Sequence, residues 1–134
     1  MRRLRPIANS LLSIYLASAC TLGHAKTVSP KSLTSAKKGI ASYYSDRFHG
    51  RLTASGERYN KNGFTAMYRS LPFGTRLRVT NLSNNRTIEV RVNDRGHPDN
   101  RRLLDLSRRA ARELGFIREG LAPVKIEVIE LGDG

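Results

Sequence analysis

The stretch that decides the fold is Arg76–Asp94, RLRVTNLSNNRTIEVRVND. Apolar residues alternate with polar ones in both halves of it, Leu77 and Val79 in the first and Ile88, Val90 and Val92 in the second. A period of two predicts two strands that each turn one face to a core and the other to solvent. The segment between them contains two asparagines, which tolerate the left-handed backbone of tight turns. The stretch therefore predicts a β-hairpin.

Further strands and one helix are predicted on both sides of this hairpin. Alternation at Val124, Ile126 and Val128 indicates another strand, and Ile40–Tyr44 is a short strand candidate. Ser107 is a suitable helix N-cap and Gly115 a suitable C-terminal stop for a short helix between them. Many short strands with a single helix predict a small closed or nearly closed β-barrel.

Size and charge limit what the protein can be. Its 134 residues suit one domain, and a hydrophobic fraction of 39% excludes a wholly disordered chain. The net charge is +13, but from Gly39 onward 17 basic and 11 acidic residues leave only +6. Such a surface favours anionic partners, among them nucleic acid, cell-wall glycan and anionic lipid.

Residues 1–25 have the three parts of an export signal. Arginines 2, 3 and 5 precede the apolar stretch Ile7–Ala19, and small residues follow. Two processing outcomes remain open. Cleavage falls after Ala25, or the thiol of Cys20 is lipidated, as in a lipobox that has Ala17 where leucine is usual. We expect export to the periplasm or cell envelope, with membrane attachment only through that lipid.

The remaining chain divides into a polar tether at residues 26–38 and a folded domain at residues 39–131. Residues 26–38 are rich in serine, threonine and lysine, with almost nothing to bury. Cys20 is the only cysteine, so no disulfide forms within one copy.

Two groups of polar residues are candidates for a site, Phe48–Glu57 and Val92–His97. Asp94 ends a predicted strand close to Gly96, which suits a carboxylate at the edge of a cleft. From composition alone, an ion pair between Asp94 and Arg95, or a turn-capping aspartate, and a solvated carboxylate at Glu57 are the simpler interpretations.

Five motifs in order resemble the bacterial rare lipoprotein A family. They are Phe48–Glu57, Leu71–Thr75, Arg78–Leu82, Arg91–Gly96 and Leu104–Ser107. The resemblance covers nearly all of residues 39–131. It implies a mainly β fold, a six-stranded double-psi β-barrel with one or two short helices, shared with expansins. It also implies an endolytic lytic transglycosylase that acts on peptidoglycan strands stripped of stem peptides.

The resemblance places the family's acidic pair at Glu57 and Asp94. In lytic transglycosylation an acid protonates the oxygen between N-acetylmuramic acid and N-acetylglucosamine, and the muramoyl C6 hydroxyl captures the sugar. The product ends in a 1,6-anhydro sugar and no water is consumed. We assign Asp94 as the principal acid and base, and Glu57 as its partner in orientation and charge stabilisation.

One departure from the family concerns Tyr68. The family usually has histidine in the place of the tyrosine that ends Thr65-Ala66-Met67-Tyr68. Tyrosine can donate a hydrogen bond or stack on a sugar, but it does not become a cation near neutral pH. The alternatives are a slower or specialised enzyme, or a weakly catalytic or non-catalytic expansin-like module that binds glycan and loosens the wall.

Other predictions concern ligands and partners. The candidate substrate-binding residues are Tyr68, His49, Arg95, Asp105, Thr53 and Ser55. His97 and Asp99 near Asp94 are interpreted as solvated, so we expect no metal and no cofactor. The expected partner is the peptidoglycan glycan strand, with no nucleic acid. We expect a monomer with no C-terminal peptidoglycan-binding repeat domain.

Overall fold

A computed structural model describes residues 36–134 of the chain. The predicted export signal, Cys20 and the tether up to residue 35 lie outside the described residues. Within residues 36–134, no helix has the length and apolar character needed to cross a membrane.

Six strands and one α-helix make up the domain. In chain order they are β1 (Lys37–Tyr43), β2 (Thr65–Met67), β3 (Arg76–Asn81), β4 (Thr87–Asp94), β5 (Leu104–Leu106), α1 (Arg108–Leu114) and β6 (Ala122–Glu130). A 3₁₀ turn, Asp46–Phe48, follows β1. The predicted hairpin is present as β3 and β4, and the other predicted strands and the helix are found as well. The strands β2 and β5 were not predicted.

The six strands form a closed barrel in the order β1-β5-β2-β4-β3-β6. The pairs β1–β5 and β2–β4 are parallel, and the other four neighbours are antiparallel. The closed, mainly β architecture predicted from the short strands is confirmed.

The alternating apolar residues fill the interior of the barrel. Seven of those in β3, β4 and β6 are almost fully buried, and Ile88 is half-buried. The seven are Leu77, Val79, Val90, Val92, Val124, Ile126 and Val128. Helix α1 buries Ala110, Ala111 and Leu114 in the same core. The Ser107 hydroxyl caps the helix by accepting a hydrogen bond from the Ala110 N–H, and Gly115 ends it with a φ of 79°. Packing of these elements fixes the strand ends that carry the polar groups.

The loop between β1 and β2 folds back onto the end of β4. Leu52 and Arg58 form an isolated antiparallel bridge within it, and the Ser55 N–H donates to the Asn93 carbonyl at 3.3 Å. The register between β2 and β4 shifts by one residue, because Ala66 pairs with Val92 and Met67 with Asp94. Asn93 is therefore the extra residue of a β-bulge, a feature that redirects side chains and is frequent beside active sites.

Candidate active site

Asp94 ends β4 and is held by three hydrogen bonds from uncharged donors. Its Oδ1 accepts from the backbone N–H of Ala54 at 2.9 Å and of Arg95 at 2.8 Å. Its Oδ2 accepts from the Tyr44 hydroxyl at 2.6 Å. The side chain is half-buried. Oδ1 thus accepts two hydrogen bonds and Oδ2 accepts one, so Oδ2 has a lone pair left that can hold a proton.

Tyr44 is the partner of Asp94 that the sequence did not reveal. Its ring lies 4.5 Å from the ring of Tyr59, measured between centroids, and meets Phe48 edge-on at 6.1 Å. Burial raises the pKa of Tyr44 far above its ordinary value, and the hydrogen bond to Asp94 raises it further. The phenol therefore stays protonated near neutral pH and can donate to Asp94.

Glu57 has a different environment, in which its carboxylate faces a charge. Arg91 grips both oxygens, at 2.7 and 2.9 Å, and the Asn93 side-chain amide donates to one of them at 3.2 Å. These hydrogen bonds from Arg91 lower the pKa of Glu57, although partial burial opposes them. Glu57 is therefore a carboxylate near neutral pH, although 46% of its side chain is exposed.

The loop between β1 and β2 brings Glu57 to the end of β4 that carries Asp94. Glu57 contacts Asn93, the residue next to Asp94, and the loop that carries Glu57 also supplies the Ala54 N–H to Asp94. Within residues 36–134, no hydrogen bond joins the two carboxylates directly. The two acids are thus connected through the loop and through β4.

Thr53 and Ser55, predicted to bind substrate, hold this loop in shape. The buried Thr53 hydroxyl donates to the Glu57 carbonyl at 2.7 Å and lies 3.0 Å from the Ser55 hydroxyl. The Thr53 N–H donates to the same carbonyl. Their hydroxyls are thus engaged within the turn that presents Ala54 to Asp94.

Tyr68 lies beside Asp94 along the backbone, but its side chain is 4% exposed and packs in the core. Its N–H donates to the Asp94 carbonyl at 3.1 Å. It lines a cavity of about 10 Å³ together with Met67, Gly96 and Leu104. A space of that size holds about one water molecule and no sugar ring. The contact of Tyr68 with glycan therefore stays a prediction.

The Arg95 side chain contacts Phe73 and the backbone of Tyr68. Its guanidinium lies 4.0 Å from the centroid of the Phe73 ring and donates to the Tyr68 carbonyl at 3.2 Å. The simpler interpretation, an ion pair with Asp94, is absent from the ion pairs found within residues 36–134.

The remaining predicted ligands lie at two other places. His49 is exposed, and its Nδ1 accepts the Lys61 N–H at 3.1 Å. Asp105 lies in β5 and is 7% exposed, with its carboxylate bound by the Ser42 hydroxyl and, at 2.8 and 3.2 Å, by Arg102. Both oxygens of Asp105 are engaged, so a glycan would have to displace Arg102 to reach them.

His97 and Asp99 form an exposed pair away from these contacts. The His97 Nδ1 lies 3.4 Å from an Asp99 oxygen, and the two side chains are 75% and 91% exposed. In the described part of the chain, no group of three histidine, cysteine or acidic residues is arranged to hold a metal ion.

Sequence reasoning missed three side chains of this site: Tyr44, Arg91 and Asn93. Arg91 and Asn93 flank Val92 inside a motif already quoted, but nothing in the motif shows that they reach back to Glu57. Tyr44 ends a predicted strand, 50 residues before the aspartate that it contacts. Only the closed barrel brings these residues together.

Comparisons with known proteins agree with this geometry. The family described as lytic transglycolase matches residues 36–126, and the chain belongs to this family. A curated relative, the endolytic peptidoglycan transglycosylase RlpA of Campylobacter jejuni, is 53% identical over 94 residues, which cover 70% of this chain and 34% of the relative. The protein of the same name from Neisseria meningitidis serogroup A is 51% identical over 94 residues, covering 70% and 39%. The resemblance to the rare lipoprotein A family is confirmed.

Solved structures support the fold. The Streptomyces papain inhibitor matches with a TM-score of 0.60 and 22% identity, over 72% of this chain and 96% of that one. A Clavibacter michiganensis expansin variant in complex with cellohexaose matches with a TM-score of 0.57 and 23% identity, over 75% and 53%. The barrel is a double-psi β-barrel, as the motifs implied. This chain spans about a third of the length of the curated relatives it matches.

Proposed function

We propose that this domain is an endolytic lytic transglycosylase that cleaves the β-1,4 bond between N-acetylmuramic acid and N-acetylglucosamine in peptidoglycan strands. The observation that carries the proposal is Asp94, a half-buried carboxylate with one oxygen fixed by two backbone N–H groups and the other facing a phenol. Membership of the lytic transglycolase family supports the reaction class.

Asp94 serves as acid and then as base in this proposal. Its protonated form gives the proton to the glycosidic oxygen as the bond from the muramoyl C1 breaks. The C6 hydroxyl of the same sugar forms the new bond to C1 and returns its proton to the Asp94 carboxylate. In both states the Tyr44 hydroxyl can donate to Oδ2, which leaves a second lone pair on that oxygen for the proton that Asp94 delivers and recovers.

Glu57 acts as a permanent negative charge and as an anchor. Both of its oxygens are bound by Arg91, and its lowered pKa keeps it ionised near neutral pH. It is therefore poorly suited to deliver a proton. Its contacts hold the loop that carries Ala54, which donates to Asp94. These contacts support the proposed role of Glu57 as the partner in orientation.

Product analysis tests the proposal. Purified peptidoglycan strands treated with the protein should release fragments ending in 1,6-anhydro-N-acetylmuramic acid, detected by mass spectrometry. Fragments with ordinary reducing ends would show hydrolysis instead. The Asp94→Asn variant, treated in parallel, is the matched control because it keeps the size of the side chain but cannot carry the proton.

A second candidate function is an expansin-like module that binds glycan with little or no turnover. The observation that favours it is Tyr68, which stands where the family usually has histidine and is buried at 4% exposure. Co-sedimentation with peptidoglycan in the absence of any released fragment would support this function over the first.

We further propose that the protein is exported to the cell envelope as a monomer, either cleaved after Ala25 or lipidated at Cys20. The support is the order of charged, apolar and small residues in residues 1–25. Mass spectrometry of the protein isolated from cells distinguishes the two outcomes, because only lipidation adds acyl chains to Cys20.

A further inference from the structure

An open groove of about 470 Å³ lies at the end of β1, separate from the contacts of Asp94. It is lined by Tyr43, Ser45, Asp46, Arg108 and Gly120. None of these five residues was predicted from the sequence to bind substrate. Sites that hold small molecules commonly have a volume of about 300–1,000 Å³, so the groove has room for a sugar-sized ligand.

A series of measured contacts connects the groove with the proposed acid. The Arg108 N–H donates to the Tyr59 hydroxyl at 3.1 Å. The centroid of the Tyr59 ring lies 4.5 Å from that of Tyr44, and the Tyr44 hydroxyl donates to Asp94 at 2.6 Å. Tyr43, which lines the groove, directly precedes Tyr44 in the chain. The groove and the acid therefore lie on the two sides of the end of β1, within reach of one polymer.

The lining of the groove combines hydrogen-bond donors, acceptors and a fixed aromatic ring. The Arg108 Nη1 lies 3.5 Å from the Asp46 Oδ1, which is longer than the roughly 2.7–3.2 Å of an ordinary N–H···O hydrogen bond. Both side chains are partly exposed, so each keeps polar capacity for a ligand. The Tyr43 ring is held by a hydrogen bond from its hydroxyl to the Ile117 carbonyl at 2.8 Å and by an edge-on contact with Phe116.

We propose that this groove binds an uncharged N-acetylhexosamine of the glycan strand, outside the pair of sugars that is cleaved. The inference rests on the proposed function. A carboxylate accepts hydrogen bonds from sugar hydroxyls and a guanidinium donates to them, while the C–H groups of a sugar ring pack on an aromatic ring. The charges of Asp46 and Arg108 are opposite, so the pair has no net attraction for an anion or a cation. N-acetylglucosamine fits this balance, because it has no charge.

Binding at the groove makes cleavage depend on the length of the strand. A strand that reaches the groove gains contacts that a shorter strand lacks, and contacts present before and during the reaction lower KM without changing kcat. We expect kcat/KM on peptide-free oligosaccharides of defined length to rise about tenfold once the groove is reached, as loss of a charge-assisted hydrogen bond would predict. It should then remain constant in longer strands.

Variants of the ion pair test which residues cause this dependence. Asp46→Asn and Arg108→Gln should each lower kcat/KM on long strands about tenfold, mainly through KM, and leave short strands unaffected. Glu113→Gln and Arg112→Gln make the same changes in charge at exposed positions of α1 outside the groove. These two matched controls should behave like the parent.

Gly120→Asn is an independent variant that leaves the ion pair unchanged. Gly120 has a φ of 75°, which asparagine adopts more readily than most residues. A Cβ added there meets no atom of residues 36–134 within 4 Å, so the new side chain has space beside the groove that Gly120 lines. This variant should also remove the dependence on length. A melting temperature for each variant separates loss of binding from loss of the fold.

NMR titration with triacetylchitotriose measures occupancy without turnover, because this oligosaccharide contains no N-acetylmuramic acid. We expect it to shift the amide signals of Ser45, Asp46 and Gly120 in the parent, and to shift them much less in Arg108→Gln. Absence of these shifts in the parent, or an unchanged length dependence in a folded Gly120→Asn, would overturn the inference and leave the transglycosylase intact.

Two further outcomes distinguish the groove from the proposed reaction. Shifts at the groove without any cleavage product would reject the transglycosylase but support the sugar site. An equal loss of kcat/KM at every strand length in the ion-pair variants would show that Arg108 acts on Asp94 through Tyr59 and Tyr44, and would overturn the sugar site.

Discussion

Glu57 and Asp94 are two carboxylates at the same end of β4, but they have opposite surroundings. Glu57 is paired with the full charge of Arg91, while Asp94 is held by a phenol and two backbone N–H groups. A charged partner fixes one protonation state, as the lowered pKa of Glu57 shows. Neutral donors hold a carboxylate in place without adding a counter-charge. This difference is the reason that we propose Glu57 as the anchor and Asp94 as the residue that exchanges a proton.

The largest effect is expected for Asp94→Asn. The amide keeps the shape of the side chain but cannot donate and recover a proton, so release of anhydro fragments should fall at least a thousandfold, within the range of acid–base contributions. The melting temperature and the circular dichroism spectrum should remain close to those of the parent. A variant that retains more than a tenth of the parental turnover would rule Asp94 out as the acid.

Glu57→Gln should have a smaller effect, because Glu57 acts through Arg91 and the loop. The neutral amide forms weaker hydrogen bonds with Arg91 than the carboxylate does. Because the loop is then held less firmly, turnover should fall roughly tenfold. Arg91→Gln should do the same. If the two residues work as one anchor, the double variant should be no worse than the poorer single variant.

Additive losses in that double-mutant cycle would show instead that Glu57 acts on the substrate independently of Arg91. Lys125→Gln is a suitable control, since it removes a cation from a pair with Glu127 that lies in β6, away from this loop.

Tyr44→Phe tests the contribution of the uncharged donor to Asp94. Losing the hydroxyl removes the only donor to Oδ2 among residues 36–134, while the ring can keep its packing against Tyr59. We expect kcat to fall about tenfold and the free energy of unfolding to fall by about 1 kcal/mol. An unchanged rate constant in single-turnover measurements would remove Tyr44 from the proposed mechanism.

The smallest effect concerns pH and the Glu57–Arg91 pair. The pKa of Glu57 is lowered in the folded protein, so its stabilising contribution is complete above the unfolded pKa and is lost as pH falls through the lowered folded value. Both side chains are over 40% exposed, which limits the contribution to about 1 kcal/mol or less.

Denaturant melts at pH 7 and at about pH 2 would check this prediction. The parent should be slightly more stable than Glu57→Gln at pH 7, and the gap should close at the lower pH. A gap that widens in acid would contradict the sign of the shift.

The elements that the sequence predicted are those with one face in the core and one in solvent. Strands β3, β4 and β6 alternate over six to nine residues, which leaves a readable period. Strands β2 and β5 have three residues each, and every residue of β5 is buried, so neither shows alternation. Such short segments acquire strand structure only from their neighbours in the barrel.

The site divides in the same way. Glu57 and Asp94 could be predicted as site residues from short motifs, because each motif is continuous in sequence. The contacts that give these acids different chemistry join residues 34 to 50 positions apart. The hydrogen bonds from Tyr44 to Asp94 and from Arg91 to Glu57 form only in the tertiary structure, which no local sequence pattern encodes.

The position of β1 in the barrel determines when this protein can finish folding. The first strand lies between the last two, with β5 on one side and β6 on the other. Until β6 is available, both β1 and β3 have an open edge, and an open edge can pair with another chain. Closure must therefore wait until synthesis reaches Glu130, and pairings of such long sequence separation form slowly. A polypeptide delayed in this way keeps two unpaired strand edges until its last strand has been made.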